Sequence, residues 1–190
     1  MVGVLVVLAL VAVVVSWFLS MYNGLVRLRE AVKQAFSNIG VLLKQRHDEL
    51  PKLVETCRQY MTYEQETLER VLRARTQVST AQAGGDVGQL AAAEGELRSG
   101  LTKLFALAEQ YPVLKANEAF GQLQARITSL EEQIADRREL YNASVNLYNT
   151  RQAEFPDSIV AGMGDFKPAR LLEFTAEETS DVSVKQLFKG

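Results

Sequence analysis

Few residues in this chain of 190 could carry out chemistry. There is one histidine, His47, and one cysteine, Cys57. A thiolate beside an imidazole makes a nucleophile, but ten positions along a helix separate these two by about 15 Å, so the pair would have to form between two chains. Taken singly, His47 reads as a helix-surface residue, and Cys57, which falls on an apolar stripe, as a buried inert thiol. Di-metal carboxylate sites in helical bundles use Glu-x-x-His pairs, and the residue three before His47 is Lys44. Gly84-Gly85 and Gly162-Met163-Gly164 lack the Gly-Lys-Ser/Thr ending and the strand-to-helix setting of a phosphate loop, so both read as turns. A single cysteine allows neither an internal disulfide nor a thiolate zinc site. The expectation is a protein without catalytic, cofactor-binding or metal-ligating residues.

The net charge of −2 removes the field that nonspecific nucleic-acid binding requires, so no nucleic-acid partner is expected. The apolar residues, 47% of the chain, are unevenly spread. No charged side chain occurs from Met1 to Val26, and Val2 to Leu19 is almost wholly Val, Leu, Ala, Trp and Phe. About twenty such residues span about 30 Å as a helix, the thickness of a bilayer's hydrocarbon core. A retained transmembrane anchor over residues 1–21 is therefore expected. A cleaved signal peptide would carry a basic stretch before the apolar run and a small-x-small site after it, and neither is present.

Positive charges set the orientation of such an anchor, because flanking Lys and Arg resist translocation. Here they all lie on the C-terminal flank, beginning with Arg27, Arg29 and Lys33, which places the N-terminus outside and the body in the cytoplasm. Residues 27–60 carry seven basic against four acidic side chains, a juxtamembrane collar suited to anionic headgroups. Within the anchor, Ala12, Ser16, Ser20 and Gly24 recur every four positions, the small-xxx-small spacing that lets membrane helices pack closely.

Past the anchor the apolar residues step by three and four: Leu25, Leu28, Val32, Phe36, Ile39 and Leu43, then Leu50, Leu53, Cys57 and Tyr60, and later Leu68, Val71 and Val78. That spacing paints one face of a helix. Pro51 removes a backbone hydrogen bond to the carbonyl of residue 47, and since the stripe keeps its phase across it, a kink is favoured over a break. Gly84, Gly85 and Asp86 form a turn. A second stripe runs from Leu90 to Tyr111, where Tyr111-Pro112 stops it. Asn117 caps a third helix, which extends to Phe155-Pro156.

The expected fold is thus all-α: an N-terminal transmembrane helix continuing into a long helix, and an antiparallel bundle of three long helices over residues 22–155, or four if the chain breaks at Pro51. Residues 156–190 form an irregular tail, mobile by default, with Val182–Phe188 as the candidate for a short strand. The three helices measure about 90, 35 and 55 Å and cannot cover one another end to end. A continuous first helix would leave the proximal stripe Leu25, Leu28, Val32, Phe36, Ile39 and Leu43 without a partner in the chain, which implies a homo-oligomer. The row Asn142, Asn146 and Asn149 on the third helix is a candidate polar seam, since Asn amides in a helix interface can fix register.

The segments Tyr22-Asn23 with Leu25-Val26, Leu43-Lys44-Gln45-Arg46 with Asp48, Leu50-Pro51, Leu53-Val54-Glu55, Ala74-Arg75, Tyr111-Pro112, Leu114-Lys115-Ala116-Asn117, Arg137-Arg138, Tyr141-Asn142, Tyr148-Asn149 and Phe155-Pro156 together resemble the LemA family over about residues 22–175. The chain departs from the family pattern at Gln45, where a second basic residue is usual, and at Lys52, where Asn is usual. The resemblance implies a bacterial inner-membrane protein with one N-terminal helix and a helical cytoplasmic body. A relative takes part in building magnetosome membranes, and the family has no established enzymatic activity. The expected function is a nonenzymatic membrane scaffold that contacts lipid and self-associates. The alternative is an adaptor that docks a separate membrane protein, such as a protease or sensor, through the proximal stripe.

Overall fold

The computed structural model describes residues 1–173. Its helices are α1 (Val2–Arg58), α2 (Gln65–Gly84), α3 (Val87–Ala108), α4 (Pro112–Lys115), α5 (Glu118–Ala153) and α6 (Asp157–Met163). No strand occurs among the described residues, and the fold is all-α. The strand candidate at 182–188 lies outside them.

Helix α1 passes through Pro51 without a break. The chain reverses later, over residues 59–64, where no Gly or Pro announces a turn. Backbone N–H groups of Tyr60 and Met61 both donate to the Cys57 carbonyl, and the Met61 side chain is fully buried, which pins the reversal to the core. The first body helix is therefore shorter than its stripe suggested, because α2 resumes the same apolar spacing after the turn. Gly85, at φ 67°, ends α2 in the left-handed conformation that glycine adopts without steric cost. Asp86 then caps α3 by accepting from the N–H groups of Gly88 and Gln89. Asn117 caps α5 as expected, accepting from the Phe120 N–H at 3.0 Å.

The described residues form two compact units, and α1 and α5 contribute to both. One comprises Met1–Asn38 and Arg137–Leu171. In it α5 runs antiparallel to α1: the Phe36 and Tyr141 rings lie 5.6 Å apart, and Tyr148 lies within the field of Arg29. The other comprises Ile39–Asp136 with Leu172 and Glu173. There α2 runs back along α1, with Arg75 bonded to the His47 carbonyl and Gln82 to the Gly40 carbonyl. Helix α3 returns along α2, α5 opposes α1 through Arg46–Glu131, and the Asn117 cap of α5 bonds Tyr60 in the turn after α1. Buried Leu50, Leu53, Leu68, Leu90, Leu97, Leu104, Ile127 and Leu130 form its core.

The described stretch after residue 156, expected to be irregular, contains a helix. Residues 157–163 form α6, whose short length gave no detectable period. The extended residues 165–170 are strapped along α5. Tyr141 Oη donates to the Arg170 carbonyl at 2.8 Å and Tyr148 Oη to the Lys167 carbonyl at 3.1 Å. Asn149 makes a two-way pair with the backbone of Ala169, 2.9 Å each way, and the Gln152 amide donates to the Phe166 carbonyl. Side-chain amides and phenols here take the place of a β-ladder, which is why no strand pattern was visible.

Candidate functional site

In the N-terminal stretch of α1, no residue of the most apolar 18-residue window is buried against the rest of the chain. The helix is long and apolar enough to cross a membrane. Ala12, Ser16 and Ser20 are exposed, and a side chain added at Gly24 would meet nothing within 4 Å, so this ridge is open to another helix. Just beyond, Arg27 and Lys33 are exposed, and Lys33 pairs with Glu30 at 2.8 Å. Arg29 instead lies over the Phe166 ring, 5.2 Å from its centroid, a cation–π contact with the strap.

The proximal stripe is not uncovered. Leu25, Val32, Ile39 and Leu43 are buried within the single chain, and Leu28 and Phe36 are half-buried. This corrects the expectation of an unpartnered stripe, and the physical reason is α5, whose 36 residues accompany α1 in both units. The stripe alone thus gives no ground for an oligomer. The three asparagines also separate: Asn149 is committed to the strap, Asn142 is half-buried, and Asn146 is exposed, so a seam at Asn146 would need a second chain.

His47 is half-buried, and desolvation followed by the charge of Arg75 lowers its pKa. Cys57 is fully buried, and burial pushes its thiol up to about 11. The strongest polar constellation carries no motif in the sequence. Arg46, 1% exposed, donates to Glu94, 4% exposed, and to Glu131 at 2.6 Å, while Arg98 approaches Glu131 at 3.6 Å. Burial by itself would lower the Arg46 pKa, but the charges and hydrogen bonds of Glu94 and Glu131 outweigh it and the net shift is upward. Four charges of balanced sign on α1, α3 and α5 hold those helices in register at a single height. The cue in the sequence is that Arg46 keeps the phase of Leu43, Leu50 and Leu53. No group of three or more metal-capable side chains occurs among the described residues.

An apolar N-terminal helix leading into an all-helical body is the arrangement of a membrane-associated helical protein. The sequence profile of the LemA family matches residues 35–186, and the chain belongs to that family. It is similar to magnetosome protein MamQ 2 of Paramagnetospirillum magneticum, 25% identical over 96% of this chain and 75% of the relative. It is also similar to magnetosome protein MamQ of Magnetospirillum gryphiswaldense, 23% identical with the same coverage. Protein LemA of Metamycoplasma hominis is 26% identical over 87% of this chain and 74% of its own length.

Proposed function

We propose that the chain is a nonenzymatic, membrane-anchored helical scaffold. Its copies associate through the anchor face Ala12, Ser16, Ser20 and Gly24 and organise or shape the inner membrane, with the N-terminus outside and the body cytoplasmic. The observation that carries this reading is the contrast along α1: its body-side stripe is buried by its own chain, whereas its apolar N-terminal stretch has no partner within it. Small side chains every four residues on that stretch are what close helix packing in lipid requires. Relatives named as magnetosome proteins support a task at a membrane. Cys57 is fully buried, its thiol pushed up to about 11, which supports a role without catalysis.

Light scattering of the full-length protein in detergent tests the proposal. The scaffold reading expects an oligomer that Ser16→Leu with Ser20→Leu reduces. A monomer or dimer unchanged by the substitutions would instead favour an adaptor for another membrane protein.

A further inference from the structure

The turn after α5 and α6 itself present three large apolar side chains to the outside: Phe155 is 80% exposed, Ile159 56% and Met163 73%. Ile159 and Met163, four apart, share a face of α6. From Phe155 to Gly164 the one charged residue is Asp157, which is buried and paired with Arg151 at 3.1 Å. The outer surface of this segment is therefore apolar or neutral throughout.

Its position beside α1 identifies what it faces. From Phe36 beside Tyr141, the contacts along α1 progress toward the anchor to Arg29 and Tyr22, both of which meet Phe166 of the strap. The C-terminal end of α6 reaches Tyr22. A Cβ at Gly164 would sit 3.3 Å from the Tyr22 ring, and the Tyr22 and Phe166 rings meet edge-to-face at 5.4 Å. The end of α6 thus abuts α1 at Tyr22. Tyr22 falls in the charge-free stretch that runs to Val26, one turn past the apolar run Val2–Leu19.

We propose that Phe155, Ile159 and Met163 dip into the headgroup and upper acyl region of the bilayer beside the anchor, making α6 a second, shallow membrane contact. Its ligand is the lipid surface itself. The end of α6 meets the anchor helix at Tyr22, itself 38% exposed, and an amphipathic segment lying in the interface buries its apolar side chains about 5–10 Å deep. Tyr at this level is typical of the interfacial belt. Insertion on the body's side of the bilayer adds area to that leaflet alone and gives the proposed scaffold a means of bending the membrane. The inference rests on the anchor being membrane-embedded.

Single-tryptophan variants of the full chain in phosphatidylcholine–phosphatidylglycerol vesicles test it, with quenching by lipids brominated near the top of the acyl chain. Trp17 is the native tryptophan and reports the anchor. In a Trp17→Phe background, Met163→Trp and Ile159→Trp report α6, and Lys33→Trp, about 16 Å farther along α1 than Tyr22, serves as the control. The proposal expects the α6 variants to lose about half their emission to brominated lipid, as a ring at interfacial depth should, and the control to lose none. Quenching of Trp17 with no quenching at residues 159 and 163 overturns the α6 contact and leaves the anchor standing. Blue-shifted but unquenched emission at 159 and 163 assigns the face to a protein partner and also overturns it. If Trp17 is not quenched, the anchor reading fails and the inference goes with it.

Discussion

Arg75 Nε donates a 2.8 Å hydrogen bond to the backbone carbonyl of His47, the acceptor that Pro51, lacking an N–H, leaves without its helical donor. A side chain on α2 thus completes the hydrogen-bond ladder of α1 across the proline, and α1 continues unbroken to Arg58.

That relationship is testable as a cycle. Arg75→Met should cost about 1–2 kcal/mol, the expected loss for a half-buried carbonyl left unpaired. Combined with Pro51→Ala, which restores an N–H at residue 51, the same substitution should cost about 1 kcal/mol less. Thermal unfolding of the detergent-solubilised protein, followed by circular dichroism, measures both, and equal costs in the two backgrounds would refute the assignment.

Arg46→Met should destabilise by about 3–5 kcal/mol, because it strands the buried Glu94 carboxylate. Adding Glu94→Leu and Glu131→Leu removes the stranded charges and should recover most of that loss. Chemical denaturation of the single and triple variants decides between this and a simple packing defect, which the triple variant would not repair.

The Cys57 thiol, pushed up to about 11 from its ordinary 9.0, should react with a disulfide reagent at pH 8 about 100-fold more slowly in the folded protein than after unfolding, from thiolate fraction alone. Its full burial slows the native reaction further. Absorbance assays with and without denaturant give the ratio.

Asn149→Leu removes both hydrogen bonds to Ala169 and should release the strap, raising protease sensitivity and amide exchange at residues 165–170 while leaving α1–α5 protected. Hydrogen exchange read by mass spectrometry separates this local opening from global unfolding, in which protection across α5 would be lost too.

The punctuation residues were legible in the sequence for physical reasons. Gly85 occupies a left-handed turn, Asp86 and Asn117 spend short side chains on helix N–H groups, and Pro112 opens α4. The reversal at 59–64 escaped notice because buried Met61 makes it, not a turn-forming residue, and the apolar spacing resumes on the far side. The gap from Tyr60 to Leu68 in the stripe was its one trace. Coverage of the proximal stripe is not legible from helix lengths, because the apolar spacing conceals that α1 ends at Arg58. The Arg46–Glu94–Glu131 cluster hid because hydrophobic periodicity discounts charges, and Arg46, in phase with the leucines, gives no sign of its acidic partners on α3 and α5. The strap bonds through side chains to main chain, a pairing that leaves no repeat in the chain.

Residues 2–38 of α1 contain no loop, glycine pair or proline at which the apolar part could swivel against the part gripped by α5. In a bilayer thinner than the apolar run, such a rod leans to hide its excess length. Since the gripped portion is the same rod, the lean carries α5, α6 and the strap with it, and the thickness of the surrounding lipid becomes an angle at which this part of the protein is held.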